Sequence, residues 1–160
     1  LEIELPYGEF RLSENDDVPA ILLATGTGFA PIKSMIEHHI RIGSKRRLHL
    51  YWGANTEADL YMQELPQGWA GKYDWFTFTP VVSMPSNDWE GRTGFVHRAV
   101  QEDYPDMSAL EVYACGAPVM IEAARRDFGA LSGLRPSAFF SDAFVSSGDP
   151  EPETVALAAS

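Results

Sequence analysis

The sequence predicts an α/β domain built on a five-stranded parallel sheet with helices on both faces. Three observations lead there. Strand-length apolar runs alternate with stretches of helical periodicity along most of the 160 residues. Residues 20–24 are apolar throughout, as in a strand buried on both faces. Three turn-like sequences, Gly26-Thr27-Gly28, Gly53-Ala54-Asn55 and Cys115-Gly116-Ala117-Pro118, each follow a predicted strand, at the sheet edge where ligands of such folds bind.

Residues 1–12 alternate apolar and polar residues around Pro6-Tyr7-Gly8-Glu9, as expected of a short hairpin or edge segment. The chain opens on Leu1 directly in a strand-like pattern, so its start reads as cut out of something longer. Residues 13–17 are a polar link. The first strand, residues 20–24, breaks at Gly26 and Gly28, which allow a tight turn and close approach of a ligand to the backbone. Pro31 then sits in the first turn of a helix, where its missing N–H costs nothing. Ile32, Met35, Ile36, His39 and Ile40 recur at helical spacing until Gly43, which predicts about three turns.

Residues 47–53 read as the second strand. Thr56 is placed to cap a helix over residues 57–65, with Pro66 ending it. Residues 73–82, rich in aromatic and β-branched side chains, form the third strand, and residues 83–91 a loop. A short helix is expected over residues 94–102 and a fourth strand over 111–115, turning into a helix that runs to about residue 131. Residues 137–145 supply the fifth strand. Residues 146–160 are mostly Ser, Gly, Pro, Glu and Ala, so the expected organisation is a leading segment (1–12), one domain (13–145) and a mobile tail (146–160).

A net charge of −11 argues against binding nucleic acid through its phosphates, which needs Lys and Arg in excess. One cysteine, Cys115, excludes a disulfide or an all-cysteine metal or iron–sulfur site within this sequence, and fits a reducing, cytoplasmic setting. No stretch approaches the roughly 20 apolar residues of a membrane span.

The glycine turn fits neither common phosphate motif. A P-loop register ending at Lys33-Ser34 needs glycine at Thr27 and Ile32, and the G-x-G-x-x-G fingerprint needs glycine at Pro31. No acidic residue stands at Gly53-Ala54-Asn55 to grip a ribose. Cys115, at the carboxyl end of a strand, suits a pocket-shaping role better than that of a nucleophile, which would need an activating base nearby. His38 and His39 diverge by roughly 100° on a helix and read as surface or boundary residues, not as metal ligands. Tyr73, Trp75, Phe76 and Phe78 read as core and edge packing, and Lys45-Arg46-Arg47 as a solvated helix end.

Six segments nevertheless occur together and in order: Thr25-Gly-Thr-Gly-Phe-Ala-Pro31, Leu50-Tyr-Trp-Gly-Ala54, Asp59-Leu-Tyr61, Gly91-Arg-Thr-Gly94, Val112-Tyr-Ala-Cys-Gly-Ala-Pro-Val-Met120 and Phe140-Ser-Asp-Ala-Phe-Val145. The set resembles the nicotinamide-nucleotide-binding domain of the ferredoxin reductase family over roughly residues 6–145. Within it the chain is most similar to reductases with flavin and 2Fe-2S centres that serve oxygenases, and to CDP-6-deoxy-3,4-glucoseen reductase-like proteins.

The resemblance implies an NAD(P)H-dependent oxidoreductase part. Gly26, Thr27, Gly28 and Pro31 would meet the pyrophosphate and the nicotinamide side, while Gly53, Ala54, Asn55 and Ser83 would border the adenosine half. Gly116, Pro118 and Met120 would form the second nucleotide turn, with Cys115 beside the nicotinamide and Asp142 and Phe144 facing the flavin. Hydride would pass to FAD, and electrons onward to an iron–sulfur centre of a dehydratase or oxygenase system. The family often has arginine where Asn55 stands, and NADP-preferring members place a cation near Met84; with only Arg92 nearby, NADH is expected over NADPH. The family's FAD motif, Arg-x-Tyr-Ser, is absent, and Pro6 to Phe10 resembles only the last strand of the FAD-binding barrel. FAD and the 2Fe-2S cluster are therefore expected on upstream domains, with an electron-acceptor protein as partner. The alternative is a non-catalytic dinucleotide-binding module.

Overall fold

Residues 10–13 and 17–143 are described by the computed structural model; the readings made on residues 1–9, on Phe144 and on the tail from 146 lie outside them. The first strand, β1 (Ala20–Thr25), is buried along nearly its whole length because the sheet continues on both sides of it. A 3-10 turn over Gly26–Gly28 leads into α1 (Phe29–Arg41), with Pro31 in its first turn as expected, and Gly43 follows at φ +73°. Then come β2 (Leu48–Ala54), α2 (Glu64–Lys72), β3 (Phe76–Val82), β4 (Arg92–Thr93), α3 (Val96–Asp103), β5 (Glu111–Gly116), α4 (Pro118–Ser132) and β6 (Phe139–Ala143).

The sheet is parallel throughout, in the order β4-β3-β2-β1-β5-β6. It has six strands, not five. The extra strand, β4, is two residues long and pairs Arg92 with Val81 and Thr93 with Val82. No period-2 pattern can show in two residues, and the surroundings, with Pro85, Asn87, Asp88, Gly91 and Gly94, read as loop.

Alternation along the strands separates two cores. Leu22, Ala24, Leu50, Trp52, Tyr113 and Cys115 face one side, beneath Phe29, Ile32 and Ile36 of α1 and Trp69 of α2. Ile21, Leu23, Tyr51, Val81, Val112 and Ala114 face the other, beneath Val96 and Val100 of α3 and Ile121, Ala124 and Phe128 of α4. Trp75 and Phe76 are buried, and Tyr73 and Phe78 pack against the same core, as read from the sequence.

Four local expectations are corrected. Residues 57–59 form only a 3-10 turn, in which Asp59 Oδ2 accepts the Thr56 hydroxyl at 3.2 Å, and the α-helix begins at Glu64. Pro66 lies in the first turn of that helix, where no N–H is needed, so it helps to start α2 and does not end it. His39 is buried edge-on to Trp75, with ring centroids 4.7 Å apart. Arg46 is also buried and donates to Glu111 Oε1 at 2.7 Å, whereas Lys45 and Arg47 beside it are exposed.

Candidate nucleotide site

In the strand order, the chain passes from β1 to β2 on one side and only later returns to lay β5 on the other. The carboxyl ends of β1 and β5 therefore diverge into two adjacent turns, the switch point where ligands of parallel sheets bind. These two turns are locked together through backbone. A Cβ on Gly28 would stand 2.2 Å from the Cys115 carbonyl oxygen, and one on Gly116 would stand 2.1 Å from Thr25 Oγ1. Gly116 also holds φ +145°, in the region that favours glycine. The Ala117 N–H donates to Thr25 Oγ1 at 3.0 Å, closing the pair.

Around this lock the residues of the two turns sort by exposure. Gly26 and Thr27 are exposed, and Gly26, at φ +53°, has open space where a side chain would be. Ala117 and Pro118 are exposed on the second turn, with Met120 half-buried behind them at the start of α4. A wall of rings backs the first turn. Trp52 stacks on Phe29 at 4.1 Å between centroids, donates from Nε1 to the Gly26 carbonyl at 3.2 Å, and meets Tyr61 edge-on.

Cys115 is fully buried between Ala24 on β1 and Asp142 on β6. Burial, with the Asp142 charge adding to it, pushes its thiol up to about 12, so it remains protonated at neutral pH. A protonated, enclosed sulfur is not poised as a nucleophile.

On the β2 and β3 side, Gly53 is buried beneath Val96 of α3. The Ser83 N–H donates to Ala54 O at 2.9 Å, Met84 N–H to Asn55 O at 2.8 Å, and the Ser83 hydroxyl to Asn55 Oδ1 at 3.1 Å. The residues expected to border an adenosine are thus drawn into one rim. Arg92 belongs to a different set: it donates to both Asp103 oxygens, at 3.1 and 2.9 Å, to Glu102 Oε1 at 2.9 Å and to Ala99 O at 3.2 Å. The Asp103 hydrogen bonds raise the guanidinium pKa despite partial burial.

Thr25, Phe29, Trp52 and the Arg92 acids are absent from the residues that the sequence points to as the site. Thr25 and Trp52 carry a positional signal, since each immediately precedes a turn glycine at a strand end. Nothing in sequence order marks Asp103 as the partner of Arg92.

A parallel sheet with glycine-locked turns at its switch point defines a dinucleotide-binding α/β domain. The chain belongs to the oxidoreductase NAD-binding domain family, whose profile matches residues 22–126. It is 48% identical over 147 residues to the CDP-6-deoxy-L-threo-D-glycero-4-hexulose-3-dehydrase reductase of Yersinia pestis, covering 92% of this chain and 44% of the relative. It is 44% identical over 151 residues to protein RfbI of Salmonella typhimurium, covering 94% of this chain and 45% of the relative. Among solved structures, the Amycolatopsis cytochrome P450 reductase GcoB matches with a TM-score of 0.75 at 28% identity, over 88% of this chain and 40% of that one. The ferredoxin reductase-type family read from the ordered motifs is confirmed. The chain spans less than half the length of these relatives.

Proposed function

We propose that this chain is the nucleotide-binding half of a flavoprotein reductase, holding NADH for hydride transfer to an FAD carried on a preceding part of the full-length protein. Electrons then pass to an iron–sulfur centre of a dehydratase or oxygenase system, the acceptor being a separate protein or domain. The single observation that carries this reading is the pair of interlocked turns at the switch point, with Gly26 and Thr27 exposed and Gly28 packed against the Cys115 carbonyl. These residues fit a dinucleotide: the first turn has room and bare backbone for a pyrophosphate, and its own residues carry no carboxylate.

When bound, the nicotinamide supplies a hydride and the flavin accepts it, releasing electrons one at a time. The protein's part is placement. Thr25, Gly28 and Gly116 keep the two turns in one spacing, the Cys115 carbonyl packs against Gly28, and Asp142 lies beside Cys115 in register on β6. Pro31 and Pro118 sit in the first turns of α1 and α4, so the bends that present the exposed backbone end in rigid helix starts. Phe144, outside the described residues, is assigned to the flavin side.

NADH is preferred because the adenosine rim, among the described residues, lacks a free cation. Met84 is apolar and exposed, Asn55 is neutral, and Arg92 already faces two carboxylates. A ribose 2′-phosphate would have to compete with Asp103 and Glu102 for it. Fluorescence titration tests both statements: NADH is expected to bind at least tenfold more tightly than NADPH. Tighter NADPH binding refutes the preference, and binding of neither refutes the function. Among the described residues no helix is long and apolar enough to cross a membrane, and the single buried cysteine accords with a reducing, cytoplasmic setting.

A further inference from the structure

At the opposite edge of the sheet from the nucleotide turns lies a buried polar cluster that the proposed function does not use. Arg46 has only 1% of its side chain exposed. Its Nε donates to the Val18 carbonyl at 2.6 Å, one terminal nitrogen to the Ser13 carbonyl at 3.0 Å, and the other to Glu111 Oε1 at 2.7 Å. The same carboxylate oxygen accepts the Ser13 hydroxyl at 2.8 Å and the Tyr113 hydroxyl at 2.7 Å. The Ser13 N–H donates to the Tyr113 oxygen at 2.7 Å. Burial alone would raise the Glu111 carboxyl pKa, but these hydrogen bonds and the guanidinium charge hold it below the ordinary range.

Two features separate this cluster from ordinary core packing. A buried ion pair roughly breaks even against apolar side chains of the same volume, so stability gives no reason for charge here. Moreover, three of the contacts go to residue 13, which is 98 and 100 positions away in sequence from its β5 partners. What the cluster does is hold the chain at residues 10–13 against the sheet. Phe10 lies over Tyr113 at 6.3 Å, Tyr113 stacks on Phe140 at 4.7 Å, and Leu12 packs against the same core.

Those strands lead directly to the site. Tyr113 and Cys115 are two apart on β5, and Phe140 and Asp142 two apart on β6, so each pair shares a face about 7 Å along its strand. The segment that enters the domain is therefore registered on the two strands whose far ends flank the nicotinamide position.

We propose that the Arg46–Glu111–Tyr113–Ser13 cluster is a positioning device: it fixes how the part of the full-length protein preceding residue 10 approaches the Cys115 end of the site. Ser13, Arg46 and Tyr113 are then positioning residues for hydride transfer. The inference rests on the reductase reading. Geometry at the reacting atoms is steep in its effect, a displacement of about 1 Å being able to cost on the order of a hundredfold in rate.

The test uses the full-length chain with bound FAD and the double variant Ser13→Ala, Tyr113→Phe, which loosens residue 13 but keeps the Arg46–Glu111 pair and the stack on Phe140. Three quantities are read: hydrogen exchange at the Ser13 amide, NADH affinity, and NADH-driven flavin bleaching with its long-wavelength charge-transfer absorbance. Exchange is expected to accelerate at least tenfold and NADH affinity to stay within twofold. The limiting bleaching rate should fall at least tenfold, with loss of the charge-transfer band. Accelerated exchange with bleaching within twofold of the parent overturns the positioning role, as does unchanged exchange. If the double variant does not fold, Tyr113→Phe alone, which removes the acceptor of the residue-13 amide, is read by the same criteria. A full-length parent that holds no flavin, or is not bleached by NADH, overturns the reductase reading and this inference with it, whereas the variant results overturn this inference alone.

Discussion

Gly28 and Gly116 occupy positions where any side chain would run into backbone or into Thr25, so at these two residues the site has no tolerance. Gly28→Ala places a methyl 2.2 Å from the Cys115 carbonyl oxygen, and backbone cannot swing aside as a flexible side chain can. The expected loss is about 3 kcal/mol of stability together with nucleotide binding. Gly26→Ala meets no atom within 4 Å and is strained only by its φ of +53°, at a cost of about 1–2 kcal/mol. Urea denaturation of the two variants, read beside NADH titration, should rank them in that order.

His49 gives the residue-scale pH dependence. Its ring accepts or donates to Tyr104 at 2.8 Å and to Thr79 at 2.8 Å, and burial, opposed in part by the Asp103 charge, lowers its pKa to about 4. The unfolded chain, with histidine near 6.5, binds the proton first as pH falls. Stability contributed by neutral His49 is therefore present above about 6.5 and lost between 6.5 and 4, by roughly 3 kcal/mol. Urea midpoints at pH 7.5, 6 and 5 should fall, and the fall should shrink in His49→Gln.

At the scale of elements, the position of α2 departs furthest from local expectation. Pro66 reads as a stop in the sequence and is part of a start in the fold, because proline is disfavoured inside a helix but accepted in its first turn, and sequence alone does not say which turn it occupies. With the helix placed over Glu64–Lys72, Gly68 falls in its interior, exposed, and a methyl added there would meet no atom within 4 Å. Gly68→Ala should stabilise the protein by about 0.5–1 kcal/mol, raising the melting temperature with nucleotide affinity unchanged. The case of β4 is complementary: a two-residue strand exists only because β3 offers an open edge to Arg92 and Thr93.

For the molecule as a whole, the sheet order places every glycine turn that the sequence singles out along one edge, and it puts the entering segment at the other. Ligand binding at that edge should stabilise the entire domain, because the turns it grips end strands at the centre of the sheet. NADH at a hundred times its dissociation constant is expected to add about 2.7 kcal/mol to unfolding, visible as a concentration-dependent rise in melting temperature. NADPH at the same concentration should add less.

The α/β class, the central strand, the helix starts at Pro31 and Pro118 and the family itself are all legible in residue order. The first three rest on local signals, apolar runs, glycine at turns and proline at helix starts, and the family on the resemblance carried by six segments in order. Tertiary structure alone decided the sixth strand, the start of α2, the burial of His39 and Arg46, the lock of Thr25 with Gly116, and the pairing of Arg92 with Asp103 and Glu102. In each of these cases the deciding partner is distant in sequence or the local preference is ambiguous. Whether a cation is solvated, a glycine obligatory or a threonine part of a site depends on what packs against it, and that is set only when the sheet assembles.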